Sequence, residues 1–524
     1  MCRALVIWRI APAVCAFGRH NLHGVSMAAP STLGELKKSG YRQRGIKDEL
    51  RENLMAALKS KKPVFAGIVG YEATVIPQVI NAILSRHNII LLGLRGQAKT
   101  RILRALVDLL DEFVPVVKGS EINDDPFAPI SKFGRETVAK LGDATPLEWL
   151  VREQRYNEKL ATPDVSIADL IGDVDPIKAA SRKLTFADEE VIHFGIIPRT
   201  NRGIFAINEL PDLQPRIQVG LLNILEEKDI QIRGFPVRIP LDIMLCFSAN
   251  PEDYTNRGSI ITPLKDRIES QVLTHYPLSL DDARKITDQE AWISRPGHLK
   301  LTMPSFIRDA IEQIAFEARN SEFVDQASGV SARMTIAIYE NVLSNAERRC
   351  LLTGQDSTTV RVVDLHAAVA AMSGKLELVY EGEQEGSQKV ATNLIGAALR
   401  KTFERVFPGA YAGGKNPKQA KRNQPEKAAP KGDGVYKQVI DYFAVGRKLE
   451  LADDLNEKDF AATLDQVPGL RELAQSHLKD ARGGELTVGM EFVLEGLHQS
   501  SLLAKQDIDR GILYCDMLGA LYEG

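Results

Sequence analysis

One segment constrains the fold of this chain more than any other. The apolar run "NIILLG" ends at Gly93, and the apolar side chains of "RILRALVDLLDEFV" further on recur at helical spacing. Between the run and the helix lie the turn residues Gly93, Gly96, Gln97, Lys99 and Thr100. A strand, a glycine-containing turn and the first turn of a helix, in this order, present backbone N–H groups to an anion. The segment therefore predicts a phosphate-binding loop in an α/β fold.

The loop "GLRGQAKT" differs from the usual G-x-x-x-x-G-K-[S/T] pattern because Ala98 precedes the lysine. Backbone groups make most of the phosphate contacts, so alanine is acceptable there if its φ angle is negative, as we expect. Lys99 can reach the outer phosphates of a nucleotide, and Thr100 can ligate Mg²⁺. The loop therefore still predicts a nucleotide site.

Two later apolar runs end in polar residues. "GIFAINEL" continues into Asn208 and Glu209, and "DIMLCFSAN" ends at Asn250. In nucleotide hydrolases of this kind, an acidic pair at such a strand end serves Mg²⁺ and the attacking water. Glu209 can polarise that water and Asn250 can orient it, whereas Asn208 can serve Mg²⁺ but brings no negative charge and so predicts weaker metal binding. Taken alone, "GIFAINEL" fits a plain strand followed by a polar helix cap equally well.

Strands and helices alternate from about residue 68 to 277, which is typical of a parallel sheet with helices on both faces. Five apolar runs of strand length produce the pattern: "NIILLG", "FVPVVKG", "GIFAIN", "DIMLCFSAN" and "SQVLTHYPL". A long insertion, 123–202, separates the second run from the third, and insertions of this length are usually functional or carry their own structure. We expect residues 31–278 to form an α/β domain with a five-stranded parallel sheet.

The remainder of the chain is expected to be largely helical. Residues 279–408 predict an all-α domain, and residues 435–524 predict a small helical module. Residues 409–434 are rich in Gly, Pro, Lys and Ala, which favours a flexible linker, although its basic residues leave contact with nucleic acid open. Residues 1–30 lack acidic side chains and resemble a transit peptide or a poor signal sequence, but a translation start at Met27 explains them as well. We assign them no function.

Composition argues against several classes of function. The 66 Lys and Arg residues nearly balance 69 Asp and Glu residues, so no strong basic field indicates nucleic-acid binding. No apolar run approaches the ~20 residues needed to span a bilayer. The 5 cysteines are far apart and the 9 histidines are scattered, which argues against a disulfide framework and a protein-ligated transition metal. The cysteine pattern favours a reducing compartment, and we expect the cytoplasm.

Together these motifs resemble the AAA+ ATPases, specifically the group that contains the magnesium-chelatase ATPase subunit and the MoxR ATPases. "GLRGQAKT" is similar to the phosphate-binding loop of that group, in which alanine before the lysine is familiar. "TNRGIFAINEL" is similar to the metal-binding strand of the group and differs only at Asn208. "FAGIVGYE" resembles the segment that packs on adenine, which implies contacts from Val69 and Gly70. The resemblance covers roughly residues 65–378.

The resemblance also implies an assembly. "TPLKDRIESQV" resembles the segment that bears the arginine finger, which implies that Arg267 reaches the nucleotide of a neighbouring subunit. "GVSARMTIAIYE" resembles the sensor-2 helix, which implies that Arg333 contacts bound nucleotide. "LLNILEEKDIQIRGFPVRIPLDIML" resembles the helix and β-hairpin of the group, with the turn at Arg233 and Gly234. The implied fold is an AAA+ sheet domain followed by an all-α lid and the small helical module.

By resemblance, the chain is expected to form a homo-hexameric ring that binds ATP and Mg²⁺ and hydrolyses ATP to remodel or activate a protein. The resemblance further implies a partner that carries a von Willebrand factor A domain. Two alternatives stay open. One is the ATPase subunit of a metal chelatase that inserts Mg²⁺ or Co²⁺ into a tetrapyrrole. The other, suggested by Asn208, is a scaffold that binds nucleotide without hydrolysing it.

Overall fold

The structure is a computed structural model that describes residues 29–182, 188–232, 238–251, 259–295, 297, 299–407, 433–508 and 511–517. Its strands are, in chain order, β1 (Ile89–Leu92), β2 (Phe113–Val117), β3 (Leu147–Val151), β4 (Tyr156–Leu160), β5 (Gly172–Val174), β6 (Ile192–Phe194), β7 (Gly203–Asn208), β8 (Asp229–Gln231), β9 (Arg238–Pro240), β10 (Ile243–Ala249), β11 (Ser270–Leu273), β12 (Lys300–Thr302), β13 (Ser357–Thr359), β14 (Leu449–Ala452), β15 (Ala504–Ile508) and β16 (Gly511–Cys515).

Helices connect and flank these strands. The α-helices of the described residues are Leu33–Lys38, Ile46–Lys59, Val75–Leu84, Lys99–Ala105, Lys132–Leu141, Ile167–Leu170, Pro176–Arg182, Ile196–Arg199, Pro215–Glu226, Thr262–Arg267, Leu280–Glu290, Ser305–Ala318, Ala332–Leu352, Ala368–Met372, Tyr380–Glu385, Ser387–Val406, Asp433–Ala444, Glu457–Leu464, Leu470–His477 and Gly484–Gln499. None of these helices is long and apolar enough to cross a membrane.

The central sheet has five parallel strands in the order β11-β1-β10-β7-β4. Strands β1, β7 and β10 are buried along their whole length, which explains why they are apolar on both faces. One apolar cluster joins Ile89 and Leu91 to the helices Ile46–Lys59 and Val75–Leu84, and a second covers the opposite face of the sheet. The expected parallel sheet with helices on both faces is confirmed. Residues that follow the parallel strands lie together at the carboxyl end of the sheet.

One strand of the sheet differs from the expectation. The run "FVPVVKG" forms β2, which pairs antiparallel with β3 outside the central sheet. The fifth place is taken by β4, which pairs with β7 at the edge of the sheet. An edge strand has one neighbour, and the side chains of β4 are partly exposed, so this strand lacks the apolar pattern that marks the buried strands. Pro115, which has no N–H group, is tolerated in the two-stranded pair.

The insertion 123–202 carries its own structure. It contains the helix Lys132–Leu141, the strands β3 and β4, and the antiparallel pair β5-β6. Further on, β8 and β9 form the expected antiparallel pair. The predicted turn at Arg233 and Gly234 lies outside the described residues.

The second half of the chain is held together by a single core. One apolar cluster joins the C-terminal part to the helices Ser305–Ala318, Ala332–Leu352, Ala368–Met372 and Ser387–Val406. Within it, Phe492 stacks on Phe306 at 4.8 Å between ring centroids and contacts Phe403 edge-on. These rings join the lid to the C-terminal module. The expectation of an all-α lid is wrong in one respect, because β12 and β13 form a two-stranded parallel sheet within it.

The C-terminal module requires a correction. The expectation is a helical module, and its described residues form four helices, but they also form the antiparallel sheet β14-β16-β15. These strands are short and mix apolar with polar residues, so their pattern is weak. The expected linker 409–434 lies outside the described residues, apart from its last two residues, which begin the helix Asp433–Ala444. The N-terminal stretch 1–30 also lies outside, apart from residues 29 and 30.

Candidate active site

The glycine-containing loop joins β1 to the helix Lys99–Ala105 at the carboxyl edge of the central sheet. Gly96 has a φ angle of +74°, and a Cβ atom there would lie 2.0 Å from Oγ of Ser331. A Cβ atom on Gly93 would lie 1.9 Å from Oγ1 of Thr274. Both positions therefore require glycine, because the loop is pressed against the end of β11 and against the start of the helix Ala332–Leu352.

Ala98 differs from the expectation. Its φ angle is +57° and its ψ angle is +18°, so it is left-handed and precedes the helix as its N-cap. The prediction that alanine is accepted here through a negative φ is wrong. An L-residue in this conformation costs roughly 1–2 kcal/mol, and such strain is typical of functional sites whose surroundings fix the backbone. The loop thus keeps the backbone shape that a glycine would adopt more easily.

Three of the predicted site residues form a hydrogen-bonded chain. The Nζ atom of Lys99 donates to Oδ1 of Asn250 at 2.5 Å, and Nδ2 of Asn250 donates to Oε2 of Glu209 at 2.8 Å. Lys99 also donates to the carbonyl oxygen of Leu94 at 3.0 Å, and its side chain is almost fully buried. The ends of β1, β7 and β10 therefore bring together a cation, an amide and a carboxylate that are far apart in sequence.

A second set of contacts surrounds Asn208. Its Oδ1 atom accepts a hydrogen bond from Thr100 Oγ1 at 3.4 Å and one from Ser248 Oγ at 3.0 Å. Ser248 in turn accepts the backbone N–H of Glu209 at 3.4 Å. Glu209 has a φ angle of +55°, a strained backbone that turns its side chain toward Asn250 at the strand end. Sequence reasoning missed Ser248, although a hydroxyl in the apolar run "IMLCFSA" is a detectable signal.

The donor set around Thr100 fits Mg²⁺. The hydroxyl of Thr100 and the amide oxygen of Asn208 are oxygen groups, the kind that Mg²⁺ prefers. Neither is charged, and Mg²⁺ keeps several waters and takes other ligands from phosphates. Within the described residues, no cluster of His, Cys, Asp and Glu suits another metal.

A cleft continues from the loop toward the segment expected to pack on adenine. Val69 lines it together with Gly96, Gln97 and Ala98. Gly70 follows with a φ angle of +81° and shapes the backbone beside the cleft. The structure thus places the segment of Val69 next to the loop.

Residues that sequence reasoning missed complete the cleft and support the loop. Arg101 and Glu290, which line the cleft, form an ion pair between the loop helix and the helix Leu280–Glu290. Oγ1 of Thr274 donates to Oε1 of Gln97 at 2.7 Å, and the Tyr71 hydroxyl donates to the carbonyl oxygen of Gln97 at 3.0 Å. Burial raises the pKa of Tyr71 to about 12, so this hydroxyl stays protonated as a donor. These contacts connect segments that are far apart in sequence, so no local sequence pattern predicts them.

The two predicted arginines lie in different places. Arg333 is exposed on the first turn of the helix Ala332–Leu352, next to the contact between Gly96 and Ser331. Arg267 ends the helix Thr262–Arg267 and pairs with Glu226 at 2.7 Å.

Arg267 precedes β11, whose first residue, Ser270, pairs with Ile89 at the start of β1. The loop follows the other end of β1, and four strand residues span about 13 Å. The fold therefore places Arg267 at the amino end of the parallel strands, whereas its own loop lies at the carboxyl end.

The chain matches no protein-family model. It is 25% identical over 331 residues to the chloroplastic magnesium-chelatase subunit ChlI-1 of Arabidopsis thaliana, covering 60% of this chain and 71% of the relative. It is 22% identical over 372 residues to magnesium-chelatase subunit ChlI of Synechocystis sp., covering 68% of this chain and 97% of the relative.

Among solved structures, a subunit from the complex between BchI and BchD of magnesium chelatase matches with a TM-score of 0.31 and 19% identity, covering 61% of this chain and 98% of that chain. The sheet topology, the glycine loop and the curated relatives agree with one another. The chain is similar in sequence to the magnesium-chelatase subunits ChlI, and it carries a glycine loop at the end of a five-stranded parallel sheet.

Proposed function

We propose that ATP binds with Mg²⁺ where β1, β7 and β10 end, and that this site hydrolyses it. The observation that supports the proposal best is the hydrogen-bonded chain from Lys99 through Asn250 to Glu209. A buried cation beside a glycine loop and a carboxylate held by an amide are what phosphoryl transfer to water needs, because this chemistry depends on positioning and charge stabilisation.

Each residue of the site has a role in this proposal. Backbone N–H groups of the loop and the start of the helix Lys99–Ala105 hold the phosphates, and Lys99 neutralises the outer ones. Thr100 would ligate Mg²⁺, Asn208 would support that ligand through the hydrogen bond that its Oδ1 atom accepts, and the ion would offset phosphate charge. Glu209 accepts a hydrogen bond from the attacking water and orients it, and Asn250 holds Glu209 in place. Val69, Gly70 and Arg333 contact the nucleotide at the cleft.

The position of Arg267 supports an oligomer. Arg267 and its own loop lie at opposite ends of the parallel strands. We therefore infer that this side chain contacts the nucleotide of a neighbouring copy. We therefore propose a homo-oligomeric ring, a hexamer by family resemblance, in which Arg267 completes the site of the next subunit. For this chain we propose remodelling or activation of a partner protein, one with a von Willebrand factor A domain by resemblance.

Nucleotide binding is tested with Lys99→Ala, because Lys99 is the buried loop cation that is hydrogen-bonded to Asn250. We expect binding of a fluorescent ATP analogue by the wild-type chain and its loss in the variant. Lys59→Ala, at the exposed end of a helix remote in sequence from the loop, is the control and should bind normally. Wild-type affinity in Lys99→Ala would contradict the proposed site.

The partner is tested by affinity purification with Glu209→Gln, a variant expected to hold ATP and to retain bound proteins. Recovery of a protein with a von Willebrand factor A domain supports the proposal. Recovery of a large porphyrin-binding subunit favours the chelatase alternative instead. Asn208 is the one observation in favour of a scaffold that does not hydrolyse ATP, and phosphate release separates that alternative from the ATPase.

A further inference from the structure

Ser248 is a polar residue in the middle of an apolar sheet. It lies on β10, where every side chain is buried, and is 1% exposed. A hydroxyl buried among apolar side chains is costly unless it is hydrogen-bonded. Phe247 pairs with Ile207 across the sheet, so the next pair in register is Ser248 and Asn208, on the same face. Ser248 therefore lies at a position from which its hydroxyl reaches Asn208.

The contacts of this hydroxyl have a direction. Ser248 Oγ accepts the backbone N–H of Glu209 at 3.4 Å, which leaves its own proton for a different acceptor. That acceptor is Oδ1 of Asn208, at 3.0 Å. Oδ1 also accepts the hydroxyl of Thr100 at 3.4 Å. Two hydroxyl donors thus converge on the oxygen of the Asn208 amide.

This convergence matters because an amide has two unlike ends. An aspartate at this position would offer two equivalent oxygens, so either orientation could accept from Thr100. Asparagine offers an oxygen at one end and an NH₂ group at the other. If the amide of Asn208 turned over, its NH₂ group would face the Thr100 hydroxyl and the metal site, where a donor repels a cation and leaves the hydroxyl without its acceptor.

We propose that Ser248 is a positioning residue that holds the oxygen of Asn208 toward Thr100, and so allows an amide to take the place of a carboxylate in this site. When Thr100 gives an oxygen lone pair to Mg²⁺, its proton still needs an acceptor, and Asn208 Oδ1 supplies it. The inference rests on the proposed function, namely that Mg²⁺ and nucleotide bind at this loop.

The test compares four variants of the full chain: Ser248→Ala, Ser248→Thr, Asn208→Asp and the double variant Ser248→Ala/Asn208→Asp. The measurement is the Mg²⁺ concentration that half-saturates binding of a fluorescent, non-hydrolysable ATP analogue, with thermal unfolding as the check on folding. Loss of one hydrogen bond corresponds to about 1 kcal/mol, or roughly 5-fold, so Ser248→Ala should raise the Mg²⁺ requirement about 5-fold. Ser248→Thr keeps the hydroxyl and should stay within about 2-fold of wild type.

The double variant distinguishes positioning from packing. Because a carboxylate accepts from Thr100 in either orientation, Ser248→Ala should change the Mg²⁺ requirement by less than about 2-fold when aspartate occupies position 208. An equal rise in both backgrounds means that Ser248 only packs the strand, and it overturns the inference. A folded Ser248→Ala variant with the wild-type requirement overturns it too. A wild-type chain that binds no nucleotide at any Mg²⁺ concentration contradicts the proposed function itself.

Discussion

Ser331 caps the helix Ala332–Leu352 and lies so close to Gly96 of the phosphate loop that a Cβ atom on the glycine would be 2.0 Å from its Oγ atom. The same hydroxyl accepts the backbone N–H of Arg333 at 3.2 Å. The ion pairs of Arg95 with Glu377 and of Arg101 with Glu290 also connect the loop and its helix to the lid.

Gly96→Ala should disrupt nucleotide binding. The new methyl group meets Ser331 and also occupies a left-handed backbone position, so we expect affinity for a fluorescent ATP analogue to fall at least about 10-fold. Gly354→Ala is the matched control, because its φ angle is +65° but no atom lies within 4 Å of the new Cβ. It should lose about 1 kcal/mol of stability and keep its affinity. Equal affinities in the two variants would contradict the close contact.

Ala98→Gly tests the left-handed backbone of the loop. Glycine relieves roughly 1–2 kcal/mol of steric cost, but the greater entropy of the unfolded chain costs about 0.5–1 kcal/mol. The variant should therefore be more stable by up to about 1 kcal/mol. Ala105→Gly, at the end of the same helix with a φ angle of −67°, should instead be less stable. The measurement is the free energy of unfolding from denaturant titration. A loss of stability in Ala98→Gly would indicate a negative φ at this position.

Arg267→Ala should leave nucleotide binding intact and reduce turnover, on the order of 10³-fold, if the side chain acts as an arginine finger. Glu226→Gln, which removes the neutralising partner of Arg267 but keeps the arginine, should retain most of the turnover. Mixing Arg267→Ala with Lys99→Ala should restore part of the activity, since a mixed ring contains sites with an intact loop and an intact arginine. No recovery in rings shown to be mixed would argue against action between subunits.

Glu312 gives the lid a pH-dependent stability. Burial raises its pKa to about 7, while hydrogen bonds from Thr287 and the charge of Arg319 oppose the rise. The folded chain then holds a proton that the unfolded chain has released, so stability falls as the pH rises from about 4.5 to 7. Glu312→Gln removes the ionisable group and therefore its part of the fall in stability. Relative to wild type, the variant should gain on the order of 2 kcal/mol between pH 5 and pH 8.

The check for Glu312 is denaturant unfolding of both proteins at pH 5 and pH 8. The pKa of Glu491 is also raised to about 7 by burial, so the wild-type slope has a second source and only the difference between the two proteins is informative. A difference that is the same at both pH values would show that Glu312 ionises normally.

Local patterns were sufficient for the parts of the site that follow buried strands. Glu209 and Asn250 come directly after apolar strands and Lys99 follows a third through the glycine loop, and parallel strands bring such residues to one end of a sheet. The edge strand β4 was missed because its side chains are half-exposed and polar. Thr274 was missed because its role depends on a contact with Gln97 across 177 positions. The backbone angle of Ala98 was also mistaken, since the residue type alone favours negative φ.

The most direct test of the account is phosphate release as a function of Mg²⁺ concentration for wild type, Asn208→Asp and Glu209→Gln, with assembly and any required partner verified. An asparagine keeps the shape and one acceptor oxygen of an aspartate but not its charge, so metal binding should weaken more than turnover. We predict slow ATP hydrolysis by wild type with a raised Mg²⁺ requirement. Asn208→Asp should lower that requirement without loss of turnover, and Glu209→Gln should be inactive. Wild-type phosphate release no greater than that of Glu209→Gln at saturating Mg²⁺ would contradict the account.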